Sequence, residues 1–184
     1  MTISLKFSPK IIIVGVLLLI YPLVVTPFWA VQIGANAMIL GMIALTIVFL
    51  AGYGGMISLA QVTVAGVAGY SVAYFGINNV GVGILLPWPV GVLIGLALGT
   101  FAGFLIGLIS VRTQGIYMLM ITLALSVVFF YFARQNYTLF NGFTGFNGVL
   151  APVVGGVDLR GPVVFYYLCL VTAGLSYGFV KYIE

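Results

Sequence analysis

The chain has 184 residues and a net charge of +4, built from only six Lys/Arg and two Asp/Glu. At 4% charged and 64% apolar, it lacks the charge to cover a soluble surface (about 25% is ordinary), and it is too hydrophobic for disorder. His is absent and Cys169 is the single cysteine, so a Ser-His-Asp triad, a His-ligated metal and an internal disulfide have no residues to draw on.

These proportions are those of an integral membrane protein. The expected fold is all-α, a polytopic transmembrane helix bundle of about six spans within residues 11–184, behind a short N-terminus over residues 1–10. Residues 11–111 carry no charge, and a helix crosses the hydrocarbon core in about 20 residues. Gly, Pro and Asn must therefore supply the breaks. The first span is expected near 11–27, with Pro22 and Pro27 marking its far end. Another apolar segment follows at once, so Lys6, Lys10 and this run read as an uncleaved first helix, not as a signal peptide.

The second span is expected near 30–51 and ends on Gly52-Tyr53-Gly54-Gly55, which is read as a break. Its small residues Gly34, Ala37, Gly41 and Ala44 share a face, and Gln32 and Asn36 form a polar stripe. The third span is expected near 56–76, with Gln61, Ala65, Gly69 and Ala73 four apart and Ser58 on the same side. Asn78, Asn79, Gly81, Gly83, Pro87 and Pro89 then make a loop, where Trp88 suits a membrane interface.

The fourth span, near 90–111, carries Gly91, Gly95, Gly99, Gly103 and Gly107 at a strict spacing of four. Such a stripe drifts by about 40° per step and winds slowly along about 24 Å of helix. Close helix packing is its plain reading, and a seam that slides during transport is the functional one. The fifth span is expected near 115–133, with Thr122 and Ser126 four apart, and the sixth near 162–180. Residues 134–161 form the long outer loop.

Counting Lys and Arg on alternate sides places Lys6, Lys10, Arg112 and Lys181 inside, with Arg134 and Arg160 outside. The N-terminus is then cytoplasmic and Asn147 lies outside. Six scattered cations form no nucleic-acid patch. The only acids are Asp158 and Glu184, so a paired-carboxylate hydrolase lacks its residues, and no G-x-x-x-x-G-K-[ST] run occurs to bind ATP. No enzyme activity and no resident cofactor or metal is expected. No acid, Lys or His stands in mid-span, which counts against a respiratory-complex membrane subunit or a small proton-coupled carrier.

The break at Gly54 and Gly55, beside Ser58 and Gln61, is read in two ways. It is a tight turn between ordinary helices, or a helix interruption of the kind that lines transporter substrate paths.

Three blocks resemble a known family. Gly52-Tyr53-Gly54-Gly55-Met56-Ile57-Ser58-Leu59-Ala60-Gln61, followed by Gly66-Val67-Ala68-Gly69-Tyr70, resembles the "GYxGxxSLG…GxGAY" signature of LivM-type permeases, the membrane subunits of branched-chain amino acid ABC importers. Arg112-Thr113-Gln114-Gly115-Ile116-Tyr117 with Thr122-Leu123-Ala124 resembles the family's "RxxGxYxxxxTLA". Thr144-Gly145-Phe146-Asn147-Gly148 resembles its "TGGxxG" outer loop. The family's usual Gly-His after "SL" is Ala60-Gln61 here, Ala68-Gly69 reverses its "GA", and the third block is one residue shorter.

The resemblance implies a permease half working with a second permease subunit, two cytoplasmic ATPase subunits that bind the ATP, and an extracytoplasmic substrate-binding protein, in a bacterial-type plasma membrane. Family members are longer, with a cytoplasmic segment that docks on the ATPase. By that resemblance the 184 residues correspond to the first part of such a permease, and alone they are expected to insert without supporting ATP-driven uptake. Urea and short-amide permeases share the pattern, and a structural subunit of another membrane complex is the alternative of a different class.

Overall fold

A computed structural model describes residues 9–78, 83–113, 115–146, 148–149, 153–154, 157–159 and 161–183. Lys6, Asn79, Gly81, Gln114, Asn147, Arg160 and Glu184, each used in the sequence reading, lie outside these described residues. The described chain is helical apart from loops and one small ribbon. Its helices are α1 (Pro9–Val24), α2 (Pro27–Gly54), α3 (Gln61–Phe75), α4 (Trp88–Ser110), α5 (Ile116–Gln135), the single turn α6 (Tyr137–Phe140) and α7 (Pro162–Ile183). The ribbon pairs Val153–Val154 (β1) with Val157–Asp158 (β2), antiparallel, with Val153 opposite Asp158.

Among the described residues, four helices are long and apolar enough to cross a membrane: α2, α4, α5 and α7, with mean hydropathies of 1.8 to 2.4. They expose Leu, Val, Phe and Ile along their lengths, as lipid-facing helices do. The described α1 and α3 have 16 and 15 residues and fall short of that length, so the structure meets the six-span expectation at four positions.

The chain divides into two compact units, residues 1–42 with 153–184, and residues 43–152, so α2 contributes its first part to one and its last part to the other. In the first unit, α1 contains Pro22, which has no N–H to give the carbonyl of Leu18. The Tyr166 hydroxyl of α7 donates to that carbonyl at 2.8 Å, and the Tyr167 hydroxyl donates to the Leu19 carbonyl at 3.1 Å. Tyr166 is fully buried and stacks on Tyr21, with ring centroids 5.8 Å apart.

Pro27, expected to end the first span, instead opens α2 after an extended Thr26. That is the position where a missing N–H costs nothing and a fixed φ helps. The first helix stops at Val24. Residues Ala30–Ala35 of α2 form a π turn, and Gly34 within it faces the rings of Tyr166 and Tyr21. A π turn inserts an extra residue, which rotates later positions by about 100°. The expected Gly34/Ala37/Gly41/Ala44 face is thereby broken: Ala37, Gly41 and Ala44 are exposed. Asn36 donates to the Gln32 carbonyl at 2.9 Å, a local bond and no polar seam.

In the second unit, helix persists through Gly52 and Gly54, correcting the expected break at Gly52-Gly55. Without water to compete, a helix keeps its own hydrogen bonds even through glycine. The stop falls at Gly55, whose φ of 61° ends the helix, and residues 56–60 are not helical. Helix α3 therefore starts at Gln61, and Ser58 lies outside it, not on its side as expected.

Helices α3 and α4 form the most extensive helix pair, antiparallel and tightly joined. After α3 the chain folds back on the helix end. Asn78 donates to the Ala73 carbonyl at 2.9 Å, and Ile84 and Leu86 amides donate to the carbonyls of Tyr74 and Phe75. Gly83, at φ 119°, makes this possible, since a β-carbon there would collide with the Tyr74 carbonyl.

Candidate functional site

The site is built from the interrupted segment between α2 and α3 and from the face of α5 that holds it. Non-helical backbone in an apolar setting needs partners for its amides. Thr122 supplies one: its Oγ1 accepts the Leu59 N–H at 3.3 Å while donating back to the Met118 carbonyl at 3.0 Å. It is fully buried. One turn on, the Ser126 hydroxyl lies 2.8 Å from the Thr122 carbonyl and 3.5 Å from the Leu59 carbonyl. Ser58 is also buried, and its Oγ accepts the Ala60 N–H at 3.3 Å. The interruption is thus held by hydroxyls on both sides of Leu59.

Beside it is a cavity of about 400 Å³. Val62, Thr63, Gly66 and Tyr70 of α3 form one wall, Ser126, Phe129, Phe130, Ala133 and Arg134 of α5 another, and Gly142 and Phe143 close it. Ser126 belongs to both features, lining the cavity and touching the interruption. The closing segment is fixed locally. Asn136 accepts the Leu139 N–H at 3.1 Å and caps α6, and Asn141 donates to the Gly145 carbonyl at 2.8 Å. Phe140 meets Tyr70 edge-on at 5.2 Å, Phe132 at 5.7 Å and Phe129 at 6.3 Å, so α6 is pinned to both α3 and α5.

Of the residues singled out in the sequence, Gly54 and Gly55 are exposed at the helix end, Ser58 is in the interruption, and Gln61 opens α3. None of these four lines the cavity. The Gln61 Oε1 is enclosed without a hydrogen-bond partner among the described residues. In the second motif block Arg112, Gly115 and Tyr117 are exposed, and Thr122 is fully buried. In the third, Thr144 and Gly148 are exposed, Gly145 is half-buried, and the Thr144 hydroxyl donates to the Asn141 carbonyl at 2.9 Å.

Along the glycine stripe, β-carbons at Gly91, Gly95, Gly99 and Gly103 would meet Phe75, Val72, Ala68 and Val64 of α3, while Gly107 faces open space. Thr63, Phe129, Phe143 and Arg134 belong to no sequence motif, while Gly66 and Tyr70 stand in the first motif block without having been singled out as site residues. The nearest signal was the four-residue spacing of Thr122 and Ser126. Arg134 stood in the sequence as one of the two cations counted on the outer side. Comparison with protein-family models, with curated proteins and with solved structures found no match to this chain.

Proposed function

We propose that the chain is a permease subunit of an ABC importer and forms part of the translocation path for branched-chain amino acids. The observation that carries this is the helix interruption from Gly55 to Ala60, tied to α5 through Thr122 and adjoining a cavity. Interrupted helices beside cavities are where transporters bind what they carry, because freed backbone groups and space coincide there. The motif blocks that resemble LivM-type permeases include this same interruption and Thr122.

In this reading α1 and α3 also cross the bilayer, α3 together with its non-helical lead-in, giving six crossings in a bacterial-type inner membrane. The N-terminus is cytoplasmic. A second permease subunit, two ATPase subunits and an extracytoplasmic binding protein complete the importer, and the outer segment around Thr144 and Gly148 faces the binding protein. The chain does no covalent chemistry, and its part is alternating access.

The test is radiolabelled uptake in cells lacking their own importers, with the chain co-produced with its partner permease, ATPases and binding protein. ATP-dependent leucine, isoleucine or valine uptake that requires this chain is expected once a C-terminal ATPase-docking segment is supplied as well, fused or as a separate chain, and no uptake without that segment. Uptake of urea in place of these amino acids would move the substrate class, and no dependence on the chain would contradict the reading. For orientation, in a Cys169→Ala background, impermeant reagent outside the cell should modify Thr144→Cys and spare Arg112→Cys. The reverse pattern would invert the topology.

A further inference from the structure

The cavity is apolar along most of its wall and carries one cation. Val62, Phe129, Phe130 and Ala133 give it a hydrocarbon lining, and the exposed Arg134 is among its lining residues. The Arg134 guanidinium lies 4.3 Å from the Phe143 ring centroid and 5.8 Å from that of Phe130. Rings against a guanidinium strip water from its faces and fix its plane, leaving its N–H edge to a ligand. Arg134 makes no ion pair among the described residues. No acid stands among the described residues that line the cavity. Its other polar groups, on Thr63, Tyr70 and Ser126, are neutral hydroxyls. A cation without a counter-ion among the described residues calls for an anion, and the planar fork of Arg suits a carboxylate best. No carboxylate lines it, among the described residues, to pair with an ammonium.

We infer that this cavity binds a small aliphatic carboxylate, with the carboxylate on Arg134 and the hydrocarbon body among Val62, Phe129 and Phe130, and that an α-ammonium adds little to recognition. The volume of about 400 Å³ is at the small end for ligand pockets and suits a body of a few carbons. The inference rests on the permease reading only for the fate of the ligand after binding. It also separates the substrate classes: urea offers Arg134 no negative charge.

The test is direct binding to the full chain in phosphatidylcholine nanodiscs, with radiolabelled 4-methylpentanoate as the probe. Leucine should compete about as well as unlabelled 4-methylpentanoate, and 4-methylpentanamide at least about tenfold worse, since it lacks the charge. Arg134→Gln should weaken the acid by a similar factor, and Arg134→Lys should fall between. Val62→Trp places bulk at an exposed lining position and should block binding with the charge intact and the thermal unfolding unchanged.

Equal affinity for acid and amide, full binding by Arg134→Gln, or no binding of the acid by the unmodified chain would each overturn the inference. So would protection of Arg134 by phosphatidylglycerol alone, which would make it a lipid contact. Uptake without this acid preference would sink the inference and spare the permease. Acid-selective binding without any uptake would do the opposite.

Discussion

Tyr166 and Thr122 are the largest fully buried side chains among the described residues, one in each compact unit, and each serves a carbonyl or amide that regular helix leaves unpaired. Replacing Thr122 by the isosteric Val would take the acceptor from the part-buried Leu59 N–H, at a cost of about 0.5–1.5 kcal/mol. Thr122→Ser keeps the hydroxyl and should lose much less. Denaturant titration of the protein in mixed micelles reads this, and equal losses would mean that the hydroxyl is not what holds the interruption. Tyr166 allows a sharper experiment. Tyr166→Phe should cost about 0.6–2 kcal/mol, because the Leu18 carbonyl loses its donor. In a Pro22→Ala background the restored amide can serve that carbonyl, and the same Tyr166→Phe change should then cost clearly less. An unchanged cost in both backgrounds would show that Pro22 and Tyr166 are not coupled. The sequence held Pro22 in plain view. The donor that answers it lies at the far end of the chain, and one sequence does not reveal such a pairing.

At the scale of elements, the α3–α4 pair is governed by the glycine stripe. A β-carbon at Gly95 would run into Val72 and stand 3.1 Å from the Ala68 carbonyl, whereas one at Gly107 meets nothing within 4 Å. Gly95→Ala should therefore destabilise the protein by about 1–3 kcal/mol through overpacking, and Gly107→Ala should be neutral or slightly stabilising. Unfolding measurements on the two variants check this, and equal behaviour would contradict a packed stripe. The stripe was legible in the sequence because small residues four apart line one helix face.

The face that meets it was not legible. The small residues Gln61, Ala65, Gly69 and Ala73 marked one side of the third span, yet α3 presents Val64, Ala68 and Val72 to α4 and leaves Ala65 and Gly69 exposed. The physical reason is complementarity: branched side chains fill the groove that glycines leave, while two small faces together would leave voids. Helix ends failed for a similar reason. Gly52 and Gly54 suggested a break two or three residues early, because apolar surroundings let helix run through glycine until Gly55 takes a left-handed φ.

For the whole molecule, composition alone was enough to read a helical membrane protein, and four helices of spanning length agree with it. The cavity was not readable in the same way. It draws residues from α3, from α5 and from the Gly142–Thr144 turn, and only the fold brings these three stretches together. The central claim is that this cavity belongs to an aqueous path. Its most direct test is the labelling of single cysteines by a membrane-impermeant maleimide in a Cys169→Ala background. Ser126 lines the cavity, while Val128, two residues on and about 200° around the helix, is exposed on the outer surface of α5. Ser126→Cys should be labelled, and Val128→Cys, facing lipid, should resist. If the two cysteines react alike, or Val128→Cys reacts faster, the cavity is not a water-filled path and the account fails.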